Sequence, residues 1–264
     1  MGCLLVEEIG RDRFTAPNIA MPYYRIFGGQ LLAQCIVIAA RTAEGKSVKS
    51  LHATFPREGD LREPIEYRVE RIQEGRTFAG RFITGWQGEK SIFTASVSLH
   101  VEEEGLDHQC DAPSVAGPEE SIPTDLSMIP WETRVVDGVD LASREVGSPH
   151  FAFWMRAKGI GTDSIQHQAL LAHATDLTMI GTTLRPHEGL GEADSPELIH
   201  TAVTTHTLWL HRPVRLDEWV LISQHSPSAA GARGFAQGHA FGSRGELIAS
   251  FAQESMIRLV PRAP

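Results

Sequence analysis

The sequence predicts an α+β fold made of two tandem domains, each with a curved antiparallel sheet wrapped around a long apolar helix. Three observations lead to this prediction. Matching residues recur at one separation in the two halves, an apolar helical segment opens each half, and strand-like segments follow each helix. The chain has 264 residues, which is enough for two domains of roughly 100–130 residues each.

The repeat relates Arg76 to Arg233, a separation of 157 positions. The other matches at this separation are Phe78-Ala79 and Phe235-Ala236, Gly85 and Gly242, Gly88-Glu89 and Gly245-Glu246, and Ala95 and Ala252. A unit this long indicates two copies of one domain, because the repeats of solenoid proteins are far shorter.

A helix opens each half. Gly28-Gly29-Gln30 leads into LLAQCIVIAA, which is apolar on nearly every face and therefore predicts a buried helix. Its counterpart in the second half runs from Gln166 to Gly181, with Gly181 as the predicted C-cap.

Strand-like segments rich in Val, Ile, Phe, Thr and Trp follow each helix, with Gly or Pro near their ends. They are Ser50–Phe55, Ile65–Ile72, Thr77–Trp86 and Ser91–Val101, then Thr201–Leu210, Trp219–Gln224, Gly234–Phe241 and Leu247–Ile257, with hairpin turns at Trp86–Lys90 and Gly242–Glu246. An apolar helix followed by antiparallel strands favours a strongly curved sheet that covers the helix, the hotdog arrangement. We expect the two sheets to pair side by side, because pairing covers their edges.

The segment between the halves is rich in Pro, Glu, Asp and Ser, which is typical of a linker. The sequence therefore predicts an N-terminal hotdog domain at residues 1–104, a linker at 105–149 and a C-terminal hotdog domain at 150–264.

Composition argues against several classes of protein. The net charge of −9 and the lack of a basic run argue against nucleic-acid binding. The 3 cysteines lack close spacing and indicate a reducing compartment, and the 12 histidines show no metal-ligand spacing. The N-terminus does not resemble a secretion signal, and no apolar run reaches the roughly 18–20 residues of a membrane span. We predict a cytoplasmic protein that binds no metal and does not insert into membranes.

Five stretches, in order along nearly the whole chain, carry a resemblance to a known family. They are Phe27-Gly28-Gly29-Gln30 with Gln34; Gly59-Asp60 with Pro64-Ile65 and Tyr67; Ala174-Thr175-Asp176-Leu177; Trp209-Leu210-His211-Arg212-Pro213; and Ser228–Phe235 with Gln253-Glu254. Together they resemble the type II acyl-CoA thioesterases, which have a double-hotdog fold. The resemblance implies hydrolysis of acyl-CoA to a free fatty acid and coenzyme A, without a cofactor or a covalent acyl-enzyme. It also implies that an Asp of the second helix, a hydroxyl residue of the next strand and a Gln of the last strand hold the attacking water.

Asp176 and Gln253 occupy the first and last of these positions. A carboxylate within an apolar helix needs a reason, and thioester hydrolysis needs a group that polarises water; the alternative is a surface Asp on the polar edge of the helix. Strand alternation places Gln253 on the face of Phe251 and Ser255, where its amide can donate to and accept from a water. The alternative for Gln253 is an exposed strand position.

The hydroxyl position departs from the family pattern, which has a Ser or Thr three residues before His206. That residue is Val203, which has no hydrogen-bonding group. Thr205 shares the face of Val203 by alternation and is the candidate substitute, whereas Thr204 would need a β-bulge to point inward. We expect weak activity, since the loss of one such hydrogen bond costs on the order of 100-fold in rate.

Substrate binding is assigned to Gly28, Gly29, Gln30 and Arg233. Glycines at the start of a helix leave backbone N–H groups free for an acyl carbonyl or a phosphate, and a tight loop-to-helix turn explains them equally well. The guanidinium groups of Arg57, Arg212 and Arg233 suit the phosphates of coenzyme A, with strand-end ion pairs as the alternative.

Two interpretations of function remain: an acyl-CoA thioesterase, and a catalytically impaired paralogue that binds acyl-CoA without turnover, which Val203 favours. A hydratase of this fold needs an Asp and a His five residues apart, but Asp163 and His167 are four apart. The sequence contains no G-x-S-x-G motif of a serine hydrolase. By analogy with other hotdog proteins we expect a homo-oligomer. Hydrolysis as predicted depends on one water shared by Asp176 and Gln253.

Overall fold

A computed structural model describes residues 2–20 and 25–261, and within these ranges the strands join into one 13-stranded antiparallel sheet. The first half contributes β1 (Glu7–Gly10), β2 (Arg13–Ala16), α1 (Gly28–Arg41), β3 (Ser47–Thr54), β4 (Ile65–Glu74), β5 (Phe78–Gln87) and β6 (Lys90–His100). The rest contributes β7 (Ile122–Pro123), β8 (Glu132–Val135), β9 (His150–Arg156), α2 (Ser164–Leu177), α3 (Met179–Leu184), β10 (Ile199–Leu210), β11 (Val220–Ala230), β12 (Arg233–Phe241) and β13 (Leu247–Leu259).

The two halves of the sheet meet at β3 and β10. The strand order is β1-β2-β4-β5-β6-β3-β10-β13-β12-β11-β9-β8-β7. At the junction Leu208 lies opposite Leu51 and His206 lies opposite Ala53. The predicted double-hotdog fold is confirmed, and so is the side-by-side pairing of its two sheets.

Both long helices are buried, as their apolar sequences predict. Residues Gly29–Ala40 of α1 and His167–Asp176 of α2 have little or no exposure. The predicted C-cap at Gly181 is wrong, because the helix breaks earlier, at Thr178 (φ −100°, ψ 0°), and resumes as α3. Gly181 lies inside α3, where a Cβ would stand 3.0 Å from Leu141 Cδ1. Close packing against the segment before β9 therefore explains this glycine.

The segment predicted as a linker is partly built into the fold. Its strands β7 and β8 extend the sheet beyond β9, and Ile129 and Val135 belong to the hydrophobic core. Short strands between prolines give too weak a pattern to detect by alternation. Among the described residues, no helix is long and apolar enough to cross a membrane.

Glycine turns connect the strands of each half. Gly88 (φ +56°) and Gly245 (φ +82°) lie in the two predicted hairpin turns, between β5 and β6 and between β12 and β13. A third turn joins β11 to β12 through Gly231 (φ +60°) and Ala232 (φ +58°). Positive φ at both central residues is typical of a type I′ hairpin turn. Ala232 adopts it against the steric preference of an L-residue.

We predict that Ala232→Gly stabilises the protein. Glycine adopts positive φ without a Cβ clash, so the free energy of unfolding should rise by about 0.5–1 kcal/mol. Urea unfolding followed by circular dichroism measures this change. Ala229→Gly is the matched control, because Ala229 lies within β11 opposite Gly234, and a glycine within a strand should lower the urea midpoint. A midpoint that falls in both variants would contradict the prediction.

Candidate active site

A cavity of about 950 Å³ lies between the two halves. Its wall is formed by the start of α1, the loop after β3, the segment before β9, the junction of α2 and α3, and the start of β10. Most of its lining is apolar, with Phe27, Leu31, Phe55, Met128, Leu177 and Ile180 among the contributors. A concave, mostly apolar site with a few polar groups is typical of small-molecule binding.

The start of α1 lies against the last turn of α2, and two glycines allow this approach. A Cβ on Gly29 would stand 2.3 Å from the backbone oxygen of His173, and a Cβ on Gly28 would stand 2.8 Å from Asp176 Oδ2. A side chain at position 29 would therefore separate the helices, and one at position 28 would displace the Asp176 carboxyl group. The close packing lets Gly29 N–H donate to Asp176 Oδ2 at 3.0 Å.

Asp176 is a buried carboxyl group in the cavity wall, 3% exposed. No protein group that the structure describes bonds to its second oxygen, Oδ1, although that oxygen is buried. Burial raises the pKa of Asp176 to about 7, and the hydrogen bond from Gly29 opposes that shift. The alternative of a surface Asp is therefore excluded. A carboxyl group with a pKa near 7 can exchange a proton at neutral pH.

β10 carries a bulge at the predicted hydroxyl position. Val203 pairs with Ser255 and Thr205 with Glu254, which leaves Thr204 without a partner in that register. Thr204 lines the cavity together with Val203, and its hydroxyl donates to the backbone oxygen of Glu254 at 2.9 Å. The prediction that Thr205 faces inward is wrong, because the extra residue breaks the alternation and leaves Thr205 exposed, outside the cavity wall.

Gln253 belongs to a buried hydrogen-bonded chain behind that bulge. Its Oε1 lies 2.9 Å from His206 Nδ1, and its Nε2 donates to Ser255 Oγ at 3.1 Å. His206 Nε2 in turn lies 3.1 Å from Thr175 Oγ1. Burial lowers the pKa of His206 to about 4, against the opposing effect of the hydrogen bond with Gln253. The imidazole is therefore neutral at pH 7 and holds the Gln253 amide in one orientation.

The chain of hydrogen bonds connects Gln253 indirectly to the residue before Asp176. Thr175 precedes Asp176 on α2, so the network connects the last strand to the turn that carries the carboxyl group. Among the described residues no hydrogen bond joins Asp176 to Gln253, and Gln253 is not in the cavity wall. The water shared by these two residues stays a prediction. The inward orientation of Gln253 with Phe251 and Ser255 is confirmed.

The residues predicted to bind substrate lie in different places. Gly28 lines the cavity, and Gly29 uses its N–H for Asp176. Gln30 is turned away from the cavity, because its amide bonds Ile19 N–H and the Asn18 side chain. Arg233 is exposed and pairs with Glu254 at 3.4 Å.

Two other arginines were candidates for binding the phosphates of coenzyme A. Arg57 lines the cavity, and Arg212 pairs with Asp107 outside the cavity wall. Within the part of the chain that the structure describes, no group of three His, Cys, Asp or Glu side chains could hold a metal ion.

Comparisons with known proteins agree with this architecture. The family sequence model for the acyl-CoA thioesterase N-terminal domain matches residues 16–100, and that for the acyl-CoA thioesterase C-terminal domain matches residues 107–257. The chain is 32% identical to the mouse acyl-coenzyme A thioesterase 8, over 98% of this chain and 88% of the relative. It is 31% identical to the acyl-CoA thioesterase 2 of Haemophilus influenzae, over 97% of this chain and 95% of the relative.

Solved structures give the same result. An acyl-CoA thioesterase II from Mycobacterium marinum has a TM-score of 0.84 and 30% identity, covering 98% of each chain. A protein of unknown function with a hot dog fold from Alicyclobacillus acidocaldarius has a TM-score of 0.79 at 16% identity, covering 99% of this chain and 98% of that one, and supports the fold alone. With both domains matched and relatives similar along nearly their full length, the chain belongs to the acyl-CoA thioesterase family.

Proposed function

We propose that this thioester hydrolase activates the attacking water with Asp176 as general base. The observation that carries the proposal is the buried Asp176 Oδ1, which has no partner among the described protein groups and lies in the wall of a substrate-sized cavity. A carboxylate held by Gly29 N–H on one oxygen keeps its other oxygen available for a water proton. Comparisons with acyl-CoA thioesterases support the choice of substrate class.

The strand side of the site supplies the groups that orient the water. Gln253 has one amide N–H and one oxygen lone pair beyond its bonds to His206 and Ser255. Thr204 lines the cavity and donates its only hydroxyl hydrogen to Glu254, so the lone pairs of its oxygen remain available to accept a hydrogen bond. We assign the orienting role to Thr204, in place of the expected hydroxyl at Val203, and a direct contact of Gln253 with the water stays a prediction, because Gln253 lies outside the cavity wall.

The start of α1 provides a donor for the developing oxyanion. Gly28 lines the cavity beside Asp176, and its N–H has no acceptor among the residues described. Backbone N–H groups at a helix start favour negative charge, and such donors stabilise tetrahedral oxyanions. Water attacks the thioester carbon as Asp176 takes its proton. When the C–S bond breaks, the coenzyme A thiolate recovers that proton and the acyl group leaves as the carboxylic acid.

The distribution of charge sets the direction of the substrate. Arg57 lines the cavity on the loop after β3, near Gly59, where an added Cβ would touch Ile26 before the start of α1. Phosphates of coenzyme A suit that end. The acyl chain then runs past Asp176 towards α3, where Leu177 and Ile180 line the wall. Arg233 pairs with Glu254, which in turn contacts Thr204 of the cavity wall. The role of Arg233 in phosphate binding stays a prediction.

Three predictions from the sequence accompany this mechanism: cytoplasmic localisation, a homo-oligomeric state, and activity without a metal or cofactor. Light scattering after size exclusion measures the second, and thiol release in the presence of a chelator measures the third.

Replacing Asp176 with Asn should abolish turnover while acyl-CoA still binds. Removal of a general base typically costs about 10²–10⁴-fold, and Asn preserves the shape and the acceptor for Gly29. Thiol release from octanoyl-CoA measures the rate, and calorimetry with the same compound measures binding. If the wild type binds acyl-CoA without releasing thiol, the proposed mechanism is wrong and the protein is the acyl-CoA-binding paralogue without turnover.

The same variant should change stability in a pH-dependent manner. The pKa of Asp176 in the folded state, about 7, lies above the ordinary Asp value of 3.8, so the wild type loses stability as the pH rises from about 4 to about 7. Asn does not titrate, so we expect the free energy of unfolding of the variant, relative to that of the wild type, to be roughly 2–4 kcal/mol higher at pH 8 than at pH 4. Urea unfolding at both pH values measures this difference. An unchanged difference would show that Asp176 is ionised without cost.

Catalysis should depend on pH through Asp176. Because the base form is needed, kcat/KM should fall about tenfold per pH unit below an apparent pKa of about 7. Protonation of Asp176 does not destabilise the fold, so unfolding does not explain the loss. A profile that stays flat from pH 5 to pH 8 would rule out Asp176 as the base.

Thr204 and Thr205 form a matched pair of tests. Thr204→Val removes the hydroxyl at the cavity and should lower kcat by about 10–100-fold, whereas Thr205→Val changes an exposed residue and should leave kcat unchanged. Val203→Thr places a hydroxyl at the expected family position and should raise kcat. If the two threonine variants changed kcat equally, Thr204 would have no specific role in catalysis.

A further inference from the structure

A buried glutamine of the sheet holds the point where the helical segment α2–α3 breaks. Gln224 of β11 is 2% exposed, and its amide bonds a threonine on each side of the break. Thr178 Oγ1, at the break, donates to Gln224 Oε1 at 3.1 Å, and Gln224 Nε2 donates to Thr182 Oγ1 of α3 at 2.6 Å. A buried amide costs stability unless it is bonded, so the three side chains act as one unit.

A glycine on the neighbouring strand leaves room for this amide. Gly238 of β12 lies opposite Gln224, and a Cβ on Gly238 would stand 2.8 Å from Gln224 Cβ and 2.6 Å from Phe251 Cζ. A side chain at position 238 would therefore displace Gln224 or Phe251. The position of Gln224 under the helix thus depends on a packing contact as well as on its hydrogen bonds.

The hydroxyl of Thr178 bonds the sheet, whereas its neighbours in α3 bond their own helix. Thr182 and Thr183 donate to the carbonyl oxygens four residues earlier, at 2.9 and 3.0 Å. This is a common hydrogen bond for a threonine within a helix, and it is also open to Thr178 when no other acceptor is near. Gln224 therefore diverts Thr178 from the bond that a continuous helix would offer it.

The break changes which residues of the helical segment reach the cavity. Its wall includes Asp176, Leu177, Thr178 and Ile180. In an unbroken α-helix successive residues are about 100° apart, so Asp176 and Thr178 would point about 200° apart around the axis. A cavity on one side of such a helix would contact one of these two residues, not both. The non-helical backbone at Thr178 (φ −100°, ψ 0°) thus extends the wall beyond Asp176.

We propose that Gln224 is a positioning residue that holds this break open and thereby makes the site selective for acyl chains long enough to pass Thr178. The inference rests on the proposed function, in which the acyl chain runs past Asp176 towards Leu177 and Ile180. Without Gln224, Thr178 bonds its own helix, the break relaxes, and the wall beyond Asp176 loses its shape. Long acyl chains then lose apolar contacts, whereas short chains end before they reach that wall.

The test compares thiol release from butyryl-CoA and dodecanoyl-CoA. We expect Gln224→Leu to lower kcat/KM for dodecanoyl-CoA by about 10-fold, the effect of losing the contacts of about two methylene groups. The loss should appear in KM, because the contacts bind the ground state and the transition state equally. Turnover of butyryl-CoA should stay unchanged. A general defect in folding would instead lower the rates of both substrates, since Asp176 lies only two residues before Thr178.

Two variants of α3 give a matched control. Thr182 and Thr183 are both buried, and each donates to its own helix, but of the two Thr182 alone bonds Gln224. Thr182→Val should therefore shift the ratio of the two kcat/KM values towards butyryl-CoA, as Gln224→Leu does. Thr183→Val removes a similar hydroxyl and should leave the ratio unchanged.

A triple variant covers the case in which Gln224→Leu does not fold. Thr178→Val/Thr182→Val/Gln224→Leu replaces the whole network with apolar side chains and leaves none of its members buried without a partner. It should therefore unfold at a urea midpoint close to that of the wild type. It also lacks the bond from Thr178 to the sheet, so it should show the same shift towards butyryl-CoA.

The outcomes separate this inference from the proposed mechanism. An unchanged ratio in the folded variants of Gln224, or an equal shift in Thr182→Val and Thr183→Val, would overturn the role of Gln224 and leave the mechanism intact. Turnover of neither substrate by the wild type would overturn the mechanism. Calorimetry with the thioethers butyl-CoA and dodecyl-CoA then decides the role of Gln224: weaker binding of dodecyl-CoA alone in the triple variant supports it, and an unchanged ratio of affinities refutes it.

Discussion

The contact between the start of α1 and the last turn of α2 is the constraint on which the site depends. Gly29 N–H donates to Asp176 Oδ2 across the two halves, at a helix separation that requires glycine at position 29, and a side chain at position 28 would displace the Asp176 carboxyl group. Burial pushes the pKa of Asp176 upward, while this hydrogen bond and the positive end of the α1 dipole favour the charged form. The first half of the molecule therefore adjusts the pKa of the proposed base, which belongs to the second half.

The duplication is therefore unequal in chemistry. α1 and α2 each have 14 residues, and Asp176 is the thirteenth residue of α2, where α1 has Ala40. At the start of α2, Asp163 caps the helix through Ile165 N–H, and His167 accepts from Leu216 N–H while its other nitrogen contacts Gly161 O. These bonds occupy the groups that the hydratase interpretation would have used. The first half keeps the glycine helix start, and the second half keeps the carboxyl group.

Sequence reasoning predicted the fold well because its signals are local and repeated. Apolar helices, alternating strands and glycine turns each follow from short-range preferences, and the constant separation of the repeat fixed the number of copies. It also predicted that Asp176 and Gln253 are buried. It was wrong on Thr205, because a bulge shifts alternation by one residue without any mark in a single sequence. It was wrong on Gly181, whose reason is packing against Leu141. The partners of Gln253, namely His206 and Ser255, depend on contacts between distant segments, which no local pattern encodes.

The bulge in β10 has a further consequence for the sheet. β10 pairs with β3 only from Thr205 to Trp209, and the last bond between them runs from Phe55 N–H to Thr204 O. Before the bulge, residues 199–203 pair with β13 alone among the strands of the described residues. The molecule thus has an open strand edge in the middle of a continuous sheet. On an outer surface such an edge invites pairing with other chains and aggregation, whereas here residues 201–204 line the cavity and Arg25 donates to the backbone oxygen of Thr201.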